Sequence, residues 1–182
     1  LLEALAVLLL SLVSRRLDGA SETVLEAVIL VPGLAAVTVL PGLWTKARSI
    51  EGIAGAAGIG LGAALVFLVA DVSVLQPIGT YSFRWRAIGG GSNWWYHPVW
   101  WMVGSYISWL GAWILATQTA KRGAPSVPGL LATVWGLTVL LAVAAALFRF
   151  PGAGWNLPTF GVAYLPGLAL ATLATSLGSP RA

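Results

Sequence analysis

The sequence predicts an all-α protein, a polytopic transmembrane helix bundle of six spans, or five if the second is re-entrant. Three observations lead there. Of 182 residues, 58% are hydrophobic and only 9% charged, whereas a soluble domain is about a quarter charged. Apolar runs near the roughly 20 residues that cross a bilayer follow one another along the chain. The ten Lys and Arg stand singly or in pairs between those runs, as bilayer-flanking charges do.

The expected spans are about 1–14, 24–44, 52–75, 98–117, 129–148 and 160–176, making residues 1–182 a single integral membrane domain. The first run ends at Arg15-Arg16. Because the chain opens on Leu1 rather than Met, this run is expected to be a shortened crossing, with a signal-peptide segment as the alternative. The second run contains Pro32 and Pro41. Proline in a transmembrane helix leaves the carbonyl four residues earlier without its donor, so a kink or break is expected where a neighbouring helix can satisfy that oxygen. The third run is rich in small residues and ends near Asp71. The fourth stops at Lys121-Arg122, and the last two are nearly free of charge. Val/Leu-Pro-Gly-Leu recurs from Val31, Leu40, Val127 and Leu165; the abundance of Gly and Pro in membrane helices accounts for it.

Orientation is undecided by charge. One side would hold Arg15, Arg16, Arg84, Arg86 and Arg149, and the other Lys46, Arg48, Lys121, Arg122 and Arg181. The positive balance has no contiguous basic surface that would fit nucleic acid. The setting expected is a lipid bilayer, with a prokaryotic cytoplasmic membrane as the location.

Zero cysteines remove disulfides, thiolate metal sites and cysteine nucleophiles, and one histidine cannot supply a paired haem ligation. No serine triad, carboxylate–histidine metal cluster or phosphate loop can be assembled. Gly58-Ile-Gly-Leu-Gly62 has the wrong spacing for a dinucleotide loop and lies in mid-span.

Chemistry is concentrated instead between the third and fourth runs. Seven of the ten tryptophans fall between Trp85 and Trp113, in and after a segment, 77–97, that is too polar to cross and too aromatic for a solvated linker. It reads as an interfacial loop, since indole and phenol rings suit the headgroup region. The sharper reading is a ligand mouth: Trp94, Trp95, Tyr96, Trp100 and Trp101 for a flat or elongated apolar molecule, Arg84 or Arg86 for its polar end, and Asp71 as a costly acid at the end of a run. His97, ahead of Pro98, is the one side chain able to ligate a chlorophyll-type pigment axially.

At 100° per residue the fourth run has two faces. Gly104, Ser108 and Ala112 form a small-xxx-small line suited to close packing, with Ala54, Gly58 and Gly62 as the matching line on the third run. Met102, Tyr106, Trp109 and Trp113 lie opposite, facing lipid, a bound lipid, carotenoid or pigment, or a partner subunit.

Residues 64–178 resemble the membrane-embedded carotenoid-biosynthesis proteins of the hydratase type. The resemblance is carried by Asp71, Pro77, Phe83 and Trp85, Gly89-Gly90, Tyr96 and Pro98, and Ser108-Trp109. It implies an isoprenoid substrate met by acid–base chemistry, but the family's second acid, just before the proline, is Gln76 here, and the interval from Asp71 to Pro77 is one residue longer. Pro98-Val99-Trp100 is similar to a stretch of the tryptophan-rich sensory proteins that bind porphyrins. Three functions are expected in descending order: a non-catalytic accessory subunit of a larger membrane complex, a protein that binds or acts on isoprenoid or carotenoid lipids, and a small transporter.

Overall fold

The structure, a computed structural model, describes residues 1–80 and 96–177, with side chains in the second stretch described from Met102 onward. Among these residues there are six helices and no strand: α1 (Leu2–Arg16), α2 (Ala20–Trp44), α3 (Ile50–Ala70), α4 (Tyr96–Arg122), α5 (Val127–Leu147) and α6 (Leu157–Ser176). A π-helical turn, Asp71–Leu75, continues α3 without a break.

Four helical stretches are long and apolar enough to cross a membrane: Ala20–Trp44, Ile50–Leu75, Val127–Leu147 and Leu157–Ser176. Between 11% and 33% of the most apolar part of each is buried inside the protein. A chain folded for water would hide such sequence; here it forms the outer surface, as lipid solvation requires. With 15 residues, α1 is about 22 Å long at the standard rise, short of the ~30 Å hydrocarbon layer. It lies against the end of α3, where Ala4, Val7 and Leu8 pack on Phe67, Leu68 and Leu75.

The central element is α4, which packs on α2, α3 and α6. Its Ile107, Ile114 and Leu115 join Val39 of α2, Leu130 and Val134 of α5, and Tyr164, Leu168 and Ala171 of α6 in the main core. At 27 residues it outruns the expected 98–117 at both ends. Pro98 falls in its first turn, where a missing N–H has no helical partner to lose. The far end continues through Lys121 and Arg122 to Gly123, whose φ of +77° stops the helix.

α2 runs unbroken through Pro32 and Pro41 as one helix of 25 residues, without the break expected there. The oxygen that Pro41 leaves without a donor is that of Val37, and Ser108 Oγ of α4 donates to it at 3.2 Å. One residue on, Thr38 Oγ1 donates to Leu34 O at 2.7 Å and lies 2.5 Å from the Tyr164 hydroxyl of α6. Gly111 of α4 sits where any Cβ would overlap the Thr38 carbonyl. A buried polar knot thus joins α2, α4 and α6 at the position where proline weakens α2.

The α3–α4 pair is the most extensive helix contact, as the small-residue lines imply, and Gly104, Ser108 and Ala112 do face inward. The α3 side needs correction. Its contact line is Ala56, Gly60 and Ala64: a Cβ on Gly60 would stand 2.5 Å from Ser108 Oγ, and one on Gly104 would stand 3.1 Å from the Ala64 Cβ. Ala54, Gly58 and Gly62 lie on the exposed face, with open space beside both glycines. Small residues fall on every side of α3 between Gly52 and Ala64, so spacing alone selects no face; the downstream charge Asp71, buried with Phe67 and Leu68, does.

Candidate functional site

Asp71 extends the inward line of α3. At 100° per residue it stands about 20° from Gly60 and from Ala64, and about 180° from Gly62. An acid closing an apolar run is too costly to face hydrocarbon, and this one is fully buried. It opens the π turn, in which Gln76 N–H donates to Asp71 O at 2.9 Å, five residues back. The wider turn brings the Gln76 side chain round to the carboxylate, and Nε2 donates to Asp71 Oδ2 at 2.7 Å. Gln76, the residue that departs from the carotenoid-hydratase pattern, is therefore the amide that holds the acid. Short π segments recur at functional sites, which adds weight to this position.

α1 closes over the same end. Ser11 Oγ and Arg15 donate to Thr80 O, the arginine at 3.0 Å, and Arg15 also donates to Gly79 O. Gly79 has φ +69°, which lets Thr80 N–H turn back to Leu75 O at 3.0 Å. Thr80 Oγ1 is buried with no hydrogen-bond partner among the described residues. This end of the bundle therefore offers a buried carboxylate, held in part by the Gln76 amide, and a buried hydroxyl on Thr80, at a turn strapped down by α1. Such groups can hydrogen-bond a polar head, or exchange a proton with one, inside an otherwise apolar site.

Comparison with protein-family models, with curated proteins and with solved structures returns no match. Function must be argued from the residues themselves.

The other expected ligand residues divide in three. Arg84, Arg86, Trp94 and Trp95 lie outside the described residues. Tyr96, His97, Trp100 and Trp101 open α4, but their side chains also lie outside the description. Trp109 and Trp113 are described and stand together on the outer face of α4, with ring centroids 5.6 Å apart; Tyr106 extends the row, 5.7 Å from Trp109. Met102 continues it at 58% exposure. The row and Asp71 are thus separate features, one on the outer side of the bundle and one inside its end.

Sequence reasoning passed over Ser11, Arg15 and Thr80, whose link depends on how α1 docks. It also passed over Thr38, Gln118 and Tyr164. Gln118 Oε1 accepts from Ser126 N–H at 2.8 Å and so anchors the start of α5 to α4. A signal for the knot did exist: Pro41 frees a carbonyl at a computable position, and some neighbouring hydroxyl must meet it.

Proposed function

We propose that the chain is a non-catalytic integral membrane protein that serves as an accessory subunit of a larger membrane complex. The observation carrying this reading is the aromatic row Tyr106–Trp109–Trp113 on α4. The central helix is covered by α2, α3 and α6 on its other sides, yet the largest of its described side chains, Trp109 and Trp113, stand away from them. The buried hydroxyls and amide described above, Ser108, Thr38, Tyr164 and Gln118, are engaged in fixing helix to helix. Aromatic side chains are favoured anchors where two proteins meet. In a mild detergent extract, native mass measurement is expected to show a partner at fixed stoichiometry, released by Trp109→Ala with Trp113→Ala. A stable chain with no partner, or one whose partner survives the double variant, defeats the proposal.

A second reading is favoured by Asp71: a protein that binds or acts on an isoprenoid-type lipid with a polar end at the acid, the direction in which the resemblance to carotenoid-biosynthesis proteins points. It predicts pigment or lipid extractable from the purified chain and lost in Asp71→Asn, which preserves shape and an acceptor for Gln76. Retention unchanged in that variant removes it.

A further inference from the structure

The end of the bundle opposite Asp71 carries a cavity of about 170 Å³, lined by Gly42, Leu43, Lys46, Ala47, Arg48, Leu115, Thr119 and Pro125. Its walls come from the end of α2, the α2–α3 turn, the end of α4 and the turn after it, and are apolar apart from Thr119 and the two cations Lys46 and Arg48. Lys46 and Arg48 stand at the turn, both exposed. Neither side chain makes a hydrogen bond or ion pair to another described residue. Lys121, at the same end, is by contrast engaged: its Nζ donates to Thr175 O at 2.5 Å and Leu177 O at 3.0 Å, closing α6.

The backbone fixes where Lys46 stands. Lys46 N–H donates to Leu43 O and Ala47 N–H to Gly42 O, a helix end that requires a left-handed residue, and Lys46 adopts φ +48°. Glycine is the residue that accepts this conformation without strain, and α4 uses Gly123 for it. Lys46 shares this left-handed helix-end conformation with Arg149 at the end of α5, and here it places a cation beside the cavity.

From this arrangement we infer that the cavity seats the phosphate-bearing head of an anionic membrane lipid, with Lys46 and Arg48 on the phosphate and Gly42, Leu43, Ala47, Leu115 and Pro125 against its apolar portion. The site lies at the end of three long helices, where the headgroup layer falls if the bundle spans a bilayer, so the inference rests on the membrane reading but not on the subunit assignment. Two cations over an apolar recess suit a phosphodiester attached to a chain better than a freely soluble anion, which would have no use for the apolar wall.

The test titrates the purified full chain, in neutral detergent, with phosphatidylglycerol or phosphatidylcholine and follows adducts by native mass spectrometry. One phosphatidylglycerol is expected to bind in preference to phosphatidylcholine. Lys46→Gly, which the backbone accepts, and Arg48→Gln are each expected to weaken it roughly fivefold, and together roughly 25-fold. Arg122→Gln, at the same end but outside the cavity, is expected to leave binding unchanged. Equal binding of the two lipids, wild-type affinity in the double variant, or an equal loss in Arg122→Gln overturns the inference. So does displacement by millimolar inorganic phosphate, which would make the site a receptor for the free anion. Thermal unfolding of Lys46→Gly at or above the wild-type temperature separates loss of the charge from loss of the fold.

Discussion

On one side of α4, Gly104, Ser108, Gly111 and Ala112 bring the helix into backbone contact with α2 and α3; on the other, Met102, Tyr106 and Trp113 are exposed, in a row with the half-buried Trp109. A water-soluble helix would be arranged the other way, with its large rings inside. Lipid removes the hydrophobic reward for burying a ring, since chain and solvent are equally apolar, and leaves close packing and hydrogen bonding to hold helices together. The difference between the two sides therefore separates what folds the chain from what the folded chain presents.

The largest effect should come from filling the tightest contact. Gly111→Leu would drive a side chain into the Thr38 carbonyl, main chain that cannot rotate away. A loss of about 3 kcal/mol or failure to fold is expected, read by denaturant-induced unfolding of the detergent-solubilised chain. Normal stability would mean that α2 and α4 do not meet here.

A paired comparison on α3 sharpens the same point. Gly60→Leu meets Ser108 and should cost about 2–3 kcal/mol, because the Gly104 carbonyl behind it is main chain. Gly62→Leu meets open space and should fall within about 0.5 kcal/mol of wild type in the same unfolding measurement. Reversed outcomes would restore the Ala54–Gly58–Gly62 line.

That pair also shows what the sequence could and could not tell. The six helices and their order followed from where apolar runs meet Arg15-Arg16, Lys46, Arg48 and Lys121-Arg122, because charges cannot sit in hydrocarbon unaided. The inward face of α4 followed from its contrast of small and large residues. On α3 no such contrast exists among the glycines and alanines, and only Asp71, the single charge of the run after Glu51, marks the buried side. Its Gln76 partner was hidden for a different reason. The two residues are five apart, a spacing that a regular α-helix does not bring together and a π turn does. Ser11 and Arg15 met Thr80 through tertiary docking, to which no local pattern points.

A smaller effect distinguishes necessity from decoration in the polar knot. Ser108→Ala leaves the Val37 oxygen without the donor that Pro41 also denies it, and should cost about 1 kcal/mol. In a Pro41→Ala background the restored N–H at position 41 can satisfy that oxygen, so Ser108→Ala should become nearly neutral. A double-mutant cycle on unfolding free energies reads the coupling directly. Additive losses would show that the serine packs at this site without repairing the helix.

The smallest effect on folding belongs to the outer row, and its smallness is informative. Trp109→Leu keeps an apolar side chain in the row and, among the described residues, removes ring contacts with Tyr106 and Trp113, on its own helix. The isolated chain should therefore unfold within about 0.5 kcal/mol of wild type. If a partner protein seats on the row, the same substitution should weaken that association by about 2 kcal/mol or more, as loss of a central tryptophan does at interfaces. Unfolding of the purified chain should thus be unmoved by a variant that weakens retention of the partner during purification. If Trp109→Leu instead destabilised the isolated chain as much as Ser108→Ala, the row would belong to the fold, and the division between the two sides of α4 would fail at the residue that defines it.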